Sequence, residues 1–137
     1  MPAHQTMRVM RELAAVKTEV KRSRFYAHLY ALDDPDEMAE VLDLHRKAYR
    51  KAAHHCSAVR FLSGNTPVET TKNDGEVGHP GKALLGVLEK HALDRHALVV
   101  SRIFGRIKLG PGGVTRAFRD AAECAAEYYL HEGEGSR

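Results

Sequence analysis

The residues best suited to chemistry lie in one run, Arg102-Ile103-Phe104-Gly105-Arg106-Ile107-Lys108-Leu109-Gly110-Pro111-Gly112-Gly113-Val114-Thr115-Arg116. It leaves an apolar strand, crosses four glycines and a lysine, and enters a helix that opens Val114-Thr115-Arg116-Ala117-Phe118. Glycine admits positive φ and close approach of another group. A helix N-terminus presents unpaired N–H groups and a partial positive charge to an anion. Arg106, Lys108 and Arg116 add cations to the amides of Gly110, Gly112 and Gly113, and together these form a candidate phosphate or anion site. The competing reading is a tight strand-to-helix turn, because the spacing is neither a Walker loop nor a Rossmann fingerprint.

Two further groups carry reactive side chains. His54-His55-Cys56 opens a strand, where alternation places His54 and Cys56 on one face and His55 on the other. Zinc needs three or four convergent ligands, and His79, Cys124, Asp74 and Glu76 are scattered, so no metal site is expected. No cofactor is expected either. Asp74-Gly75-Glu76 sets two carboxylates about a glycine. That pair suits Mg²⁺ or polarisation of a substrate, or a turn in which Asp74 caps its own backbone. His54, Asp74 and Glu76 make a candidate pocket. No serine sits in a nucleophile elbow and no Cys–His pair has a third supporting group. The chain therefore names a binding site more readily than a reaction, and the reading leans away from an enzyme.

The net charge is only +3, but it is segregated. Arg95, Arg102, Arg106, Lys108, Arg116 and Arg119 follow one another with no acid between them. A second cluster holds Lys17, Lys21, Arg22 and Arg24, and a third Arg46, Lys47, Arg50 and Lys51. Such segregation builds a positive face for phosphates, although basic runs on helices also serve as solvated surface. Lys21, Arg22 and Arg24 are the candidate extension of that face. Few aromatics and no tryptophan count against a dedicated single-strand binder.

These groups must be positioned by a chain of 137 residues, long enough for one sizeable core. Residues 1–10 are unpatterned and expected to be disordered, 11–131 form a single domain, and 132–137 form a disordered tail. Glu12 to Lys21 fits helix or strand, and Ser23 to Leu32 alternates as a half-buried strand. Asp33-Asp34-Pro35-Asp36 caps a helix whose inner stripe is Met38, Val41, Leu42, His45, Ala48, Tyr49 and Ala52. His45 reads as a packed histidine within that stripe. Strands are expected at 54–62, 68–72 and 97–104, and helices at 83–91 and 114–130. The interleaving implies one sheet covered by helices on one side. No apolar run approaches a membrane span and no secretory signal is evident. Two cysteines without metal or redox spacing fit a reducing, cytoplasmic setting.

Four motifs in order resemble the YigZ/IMPACT family across roughly residues 19 to 130. Lys21-Arg22-Ser23-Arg24-Phe25 resembles its Lys-Lys-Ser-Arg-Phe signature. His54, Cys56 and Ala58 match its His-x-Cys-x-Ala strand, and Asp74-Gly75-Glu76 its Asp-Gly-Glu loop. Arg102-x-Phe104-Gly105-x-Ile107-Lys108-Leu109-Gly110-x-Gly112-Gly113-x-x-Arg116-Ala117 matches its longest motif. The resemblance implies a two-layer α+β fold, like domain two of the fifth small-subunit ribosomal protein, with a left-handed βαβ crossover. Taken with the basic glycine loop, it points to a non-enzymatic module whose phosphate-bearing partner is RNA or a ribosome-associated complex, acting in translation regulation. A protein-interaction regulator of translation, or an enzyme acting on a small phosphorylated metabolite, are the alternatives. Three positions depart from the pattern. Gly105-Arg106 replaces a double glycine, the stretch after Glu76 is shorter and lacks hydroxyls, and His55 replaces an asparagine. Neither the ferredoxin-like domain of many bacterial members nor the N-terminal interaction domain of eukaryotic ones is expected in this chain.

Overall fold

The structure is a computed structural model that describes residues 11–135; the disorder expected for 1–10 and 136–137 falls outside the described residues. The elements in order are β1 (Glu12–Val20), β2 (Ser23–Ala31), a 3-10 turn (Pro35–Glu37), α1 (Met38–Ala48), β3 (His54–Phe61), β4 (Val68–Lys72), α2 (Pro80–Lys90), β5 (His96–Ile103) and α3 (Gly110–Gly135). The five strands form one sheet in the order β1-β2-β5-β3-β4, every neighbouring pair antiparallel.

Alternation along the central strands builds two cores. Phe25, Ala27, Leu29, Cys56, Ala58, Leu98 and Val100 face one way and bury against Leu84, Val87 and Leu88 of α2 and Val114, Phe118, Ala121 and Ala125 of α3. The largest contact there is Phe25 on Phe118, edge-to-face with centroids 5.1 Å apart. Tyr30, Val59, Phe61, Ala97 and Val99 face the other way and pack on Met38, Val41 and Leu42 of α1. The expected cover of helices on one side therefore holds for α2 and α3, while α1 lies across the opposite face. A strand apolar on both faces requires both to be covered, and β5 is buried from Ala97 to Arg102.

This placement fixes the handedness of the connections. β2 and β3 are each antiparallel to β5 between them, so they run parallel and α1 joins them by a βαβ crossover. By the same reasoning β4 and β5 are parallel and α2 joins them. The second crossover reverses both strand direction and the sense of travel but uses the other face of the sheet. Two such units have opposite hands, so one is left-handed, against the usual right-handed rule. The left-handed crossover implied by the resemblance is thus built into the topology.

Several boundaries differ from expectation. The ambiguous first segment is strand β1, an edge strand in which only Ala14 is buried. α2 begins one turn earlier than expected, at Pro80, whose fixed φ suits a first helical turn. α3 begins at Gly110 and continues through Gly135, so the helix occupies 132–135, where a tail is expected from the sequence.

Candidate functional site

All four family motifs meet at one end of the sheet. Arg102 sits on β5 with the same parity as Leu98 and Val100, so its side chain enters the α2/α3 core instead of solvent, and it is 6% exposed. Its Nη1 donates to Glu76 Oε2 at 3.0 Å, and that carboxylate's side chain is only 4% exposed. Arg102 Nε and Nη2 lie 3.4 and 3.2 Å from Ser23 Oγ, at the start of β2. Gly105 N donates to the same hydroxyl oxygen at 3.1 Å. The guanidinium is flanked by the rings of Phe25 and Phe104, 5.7 and 5.5 Å from their centroids.

The turn after β4 joins this network from the other side. Asp74 and Gly75 both take positive φ, and Glu76 N donates to Asn73 O at 2.9 Å, the geometry of a type I′ turn. His54 Nδ1 hydrogen-bonds Asp74 O at 2.8 Å, and its Nε2 lies 3.8 Å from Glu76 Oε2. Asp74 Oδ2 accepts from His55 N, and Cys56 Sγ donates to Asn73 O. Burial pushes the Cys56 thiol well up, with Glu76 and Asp74 adding to the effect, so it stays protonated. Asn73 Oδ1 also accepts from Gly81 N, satisfying a donor at the start of α2.

The structure places His54, Asp74 and Glu76 side by side and uses His54 Nδ1, Asp74 Oδ2 and Glu76 Oε2 to hold the turn and its buried arginine. Glu76 is the counter-ion of a buried arginine and its other oxygen accepts from Val77 N at 3.0 Å. Ser23, Asn73 and Arg102 are the members of this cluster that sequence reasoning did not assign to a site. Arg102 had a signal: a cation at a core-facing position of an apolar strand demands a buried partner.

The glycine loop is mounted on this scaffold. A Cβ on Gly105 would lie 2.1 Å from Arg22 C and 2.2 Å from Arg22 O, so the loop backbone presses directly on the β1–β2 turn. That turn is Lys21-Arg22, both at positive φ, which matches the twist of the two strands. Gly78, at φ +82, approaches equally closely: its missing Cβ would meet Thr115 Oγ1 at 2.4 Å and Pro111 O at 2.5 Å. Thr115 Oγ1 lies 2.7 Å from Gly78 O and ties the acidic turn to the first turn of α3.

The result places Lys21 and Arg22 beside the loop. Lys21, Leu109, Gly113, Arg116 and Asp120 line one cavity of about 200 Å³. Arg106, Lys108 and Arg116 are exposed. Nothing lies within 4 Å of where a Cβ would stand on Gly110 or Gly112, and the first turn of α3 holds no acid. Arg24 falls by strand alternation on the opposite face, where its neighbour in parity, Tyr26, stacks on Tyr49. Arg46 and Lys47, on α1, also lie on that side. The second basic cluster therefore contributes its turn residues to the loop and not Arg24. Among the described residues no group of three or more His, Cys, Asp or Glu is arranged to hold a metal ion, and no helix is long and apolar enough to cross a membrane.

An antiparallel sheet whose motif-bearing strand ends close on a glycine loop and a helix N-terminus defines an α+β module of a known kind. The chain belongs to the Impact N-terminal domain family, which matches residues 21–126. It is similar to the IMPACT family member YvyE of Bacillus subtilis, 37% identical over 72% of this chain and 46% of that protein. It is also similar to YigZ of Escherichia coli, 32% identical over 75% of this chain and 52% of that protein. The chain thus spans about half the length of these curated relatives. Among solved structures, a hypothetical protein superposes with a TM-score of 0.75 at 29% identity, covering 83% of this chain and 56% of that one. The two-domain translational regulator Yih1 shares the fold, with a TM-score of 0.56 at 22% identity over 87% of this chain and 46% of that one.

Proposed function

We propose that this chain is a non-enzymatic binding module that grips a phosphate-bearing partner, RNA or a ribosome-associated complex, in the regulation of translation. One observation carries the reading: the Lys21-Arg22 turn, the Arg106–Lys108 loop, Arg116 and the acid-free N-terminus of α3 are gathered at one end. The fold shared with a translational regulator adds to it. Acid–base chemistry on a metabolite is disfavoured, because Glu76 is consumed by Arg102 and His54 Nδ1 is held by Asp74 O. A second reading has its own support. Val77, Phe104 and Ile107 are exposed at the same end, 51%, 48% and 41%, and such apolar surface suits a protein partner in translation control.

The test is binding of ribosomal RNA and of a plain duplex across a salt series, with Lys108→Ala/Arg116→Ala alongside. Neutralising phosphates releases counterions, so affinity falls with salt. Removing one phosphate-binding cation lowers the slope of log K against log salt by about 0.7–0.9. Affinity that ignores salt, or survives the double substitution, rejects the phosphate site. RNA-independent capture that Phe104→Ala abolishes selects the protein partner instead.

A further inference from the structure

Behind the sheet, under α1, lies a chain of buried polar side chains that the site above does not use. Tyr30 OH is 2.8 Å from His45 Nε2, His45 Nδ1 is 3.0 Å from Ser101 Oγ, and Ser101 Oγ is 2.8 Å from His55 Nδ1. Tyr30, His45 and Ser101 are 2%, 1% and 0% exposed, so each hydrogen must find an acceptor inside the protein. Burial, reinforced by His28 and His55, holds the His45 imidazole down to about 3, hence neutral with a single N–H. Only one direction of donation then satisfies every group. Tyr30 donates to His45 Nε2, His45 Nδ1–H donates to Ser101, and Ser101 donates to His55 Nδ1. The reverse direction leaves the phenolic hydrogen of Tyr30 with no acceptor among the described residues. The tautomer of His55 follows: its proton is on Nε2, the nitrogen turned away from the buried serine.

His55 lines a cavity of about 250 Å³ with Leu42, Arg46, Lys72, Asn73 and Asp74. Arg46 reaches Asp43 only at 4.0 Å, and Lys72 has no ion-pair partner among the described residues. Asp74 Oδ2 is already engaged by His55 N at 2.8 Å. The cavity thus offers two cations and one imidazole N–H held in place by a buried relay, on the opposite side of the sheet from the glycine loop.

We propose that this cavity binds a small anionic metabolite, its phosphate or carboxylate group facing Arg46, Lys72 and His55 Nε2–H. Asp74 sets the orientation, because it repels the anionic end and accepts from a hydroxyl or amino group on the remainder of the ligand. The relay is a specificity device: it locks His55 in the Nε2–H form, so the ring presents only a donor to the anion.

The test uses the full chain and long-range ¹H–¹⁵N NMR of the imidazoles, at constant ionic strength set with chloride. The free protein is expected to show His45 protonated on Nδ1 and His55 on Nε2; the opposite tautomers overturn the relay. Inorganic phosphate, glycerol 3-phosphate and acetate are then titrated separately, and saturable movement of the His55 ring by one class identifies the anion. Arg46→Gln/Lys72→Gln is expected to weaken that binding at least about tenfold. Ser101→Ala is expected to weaken it several-fold and to mix the His55 tautomers; if it fails to fold, Ser101→Thr keeps the hydroxyl and must retain binding. Lys108→Ala/Arg116→Ala must leave the titration unchanged, which separates this site from the glycine loop. No saturation by roughly 10 mM of any probe, or equal binding by the Arg46/Lys72 variant, marks an adventitious ion only and overturns the proposal.

Discussion

Replacing Arg102 by methionine deletes one half of the buried pair that joins three of the family motifs. The carboxylate of Glu76, 4% exposed, keeps only the Val77 amide and a distant His54 ring, while Ser23 Oγ keeps the Gly105 amide. Leaving one charge of a buried pair uncompensated costs about 3–5 kcal/mol. Glu76→Met strands the guanidinium at similar cost, about 3–5 kcal/mol by the same reasoning. Removing both charges leaves two flexible apolar side chains in the same volume, and replacing a whole pair is close to neutral, so the double variant is expected to lose no more than about 2 kcal/mol. The coupling between the two positions then amounts to at least about 4 kcal/mol. Equilibrium urea unfolding reads all four corners of this cycle, with an unchanged m-value as the condition for comparing them. Additive losses in the double variant would refute the reasoning, because they would mean that neither side chain is the other's compensation.

The loop glycines are expected to divide sharply. Gly105→Ala forces a Cβ to 2.1 Å from Arg22 C and costs about 1–3 kcal/mol, whereas Gly112→Ala, with nothing within 4 Å, is neutral or stabilising by up to about 1 kcal/mol in thermal unfolding. Arg106 holds φ +70, a conformation that favours glycine, so Arg106→Gly is expected to raise stability by up to about 1 kcal/mol while weakening RNA affinity, both measurable on one preparation. His45 is neutral in the fold with its proton affinity held down to about 3 by burial, while the unfolded chain binds a proton near its ordinary value. Stability therefore falls as pH drops from the unfolded value toward about 3, with a slope of about 1.4 kcal/mol per pH unit that His45→Gln removes. Cys124 is exposed and Cys56 buried with its thiol pushed up, so a thiol reagent is expected to label Cys124 in the native protein and Cys56 only after denaturant is added.

Much of this molecule is legible from local pattern. Alternation in Ser23–Ala31 and the apolar run His96–Ile103 mark β2 and β5 within a residue of their ends, and the capped stripe from Met38 to Ala52 marks α1, although the helix stops at Ala48 with Tyr49 as its cap. These succeed because side-chain periodicity is a property of the backbone conformation itself. The glycine loop and its cations are equally visible, since residue type and φ preference are local. β1 is not, because Leu-Ala-Ala-Val followed by Lys-Thr-Glu fits either period, and only pairing with β2 decides it.

The tertiary structure decided what lies across from what. No local feature tells α1 to cross one face of the sheet while α2 and α3 cover the other; the two-sided apolarity of β5 allows the arrangement, and packing selects it. Nor does spacing show that Lys21 shares a cavity with Arg116 while Arg24, three residues on, faces the other way. Arg102, Glu76 and Ser23 look like separate motif letters in the chain. Burial makes them one object, because charges taken out of water must find each other, and that demand acts through space and not along the sequence.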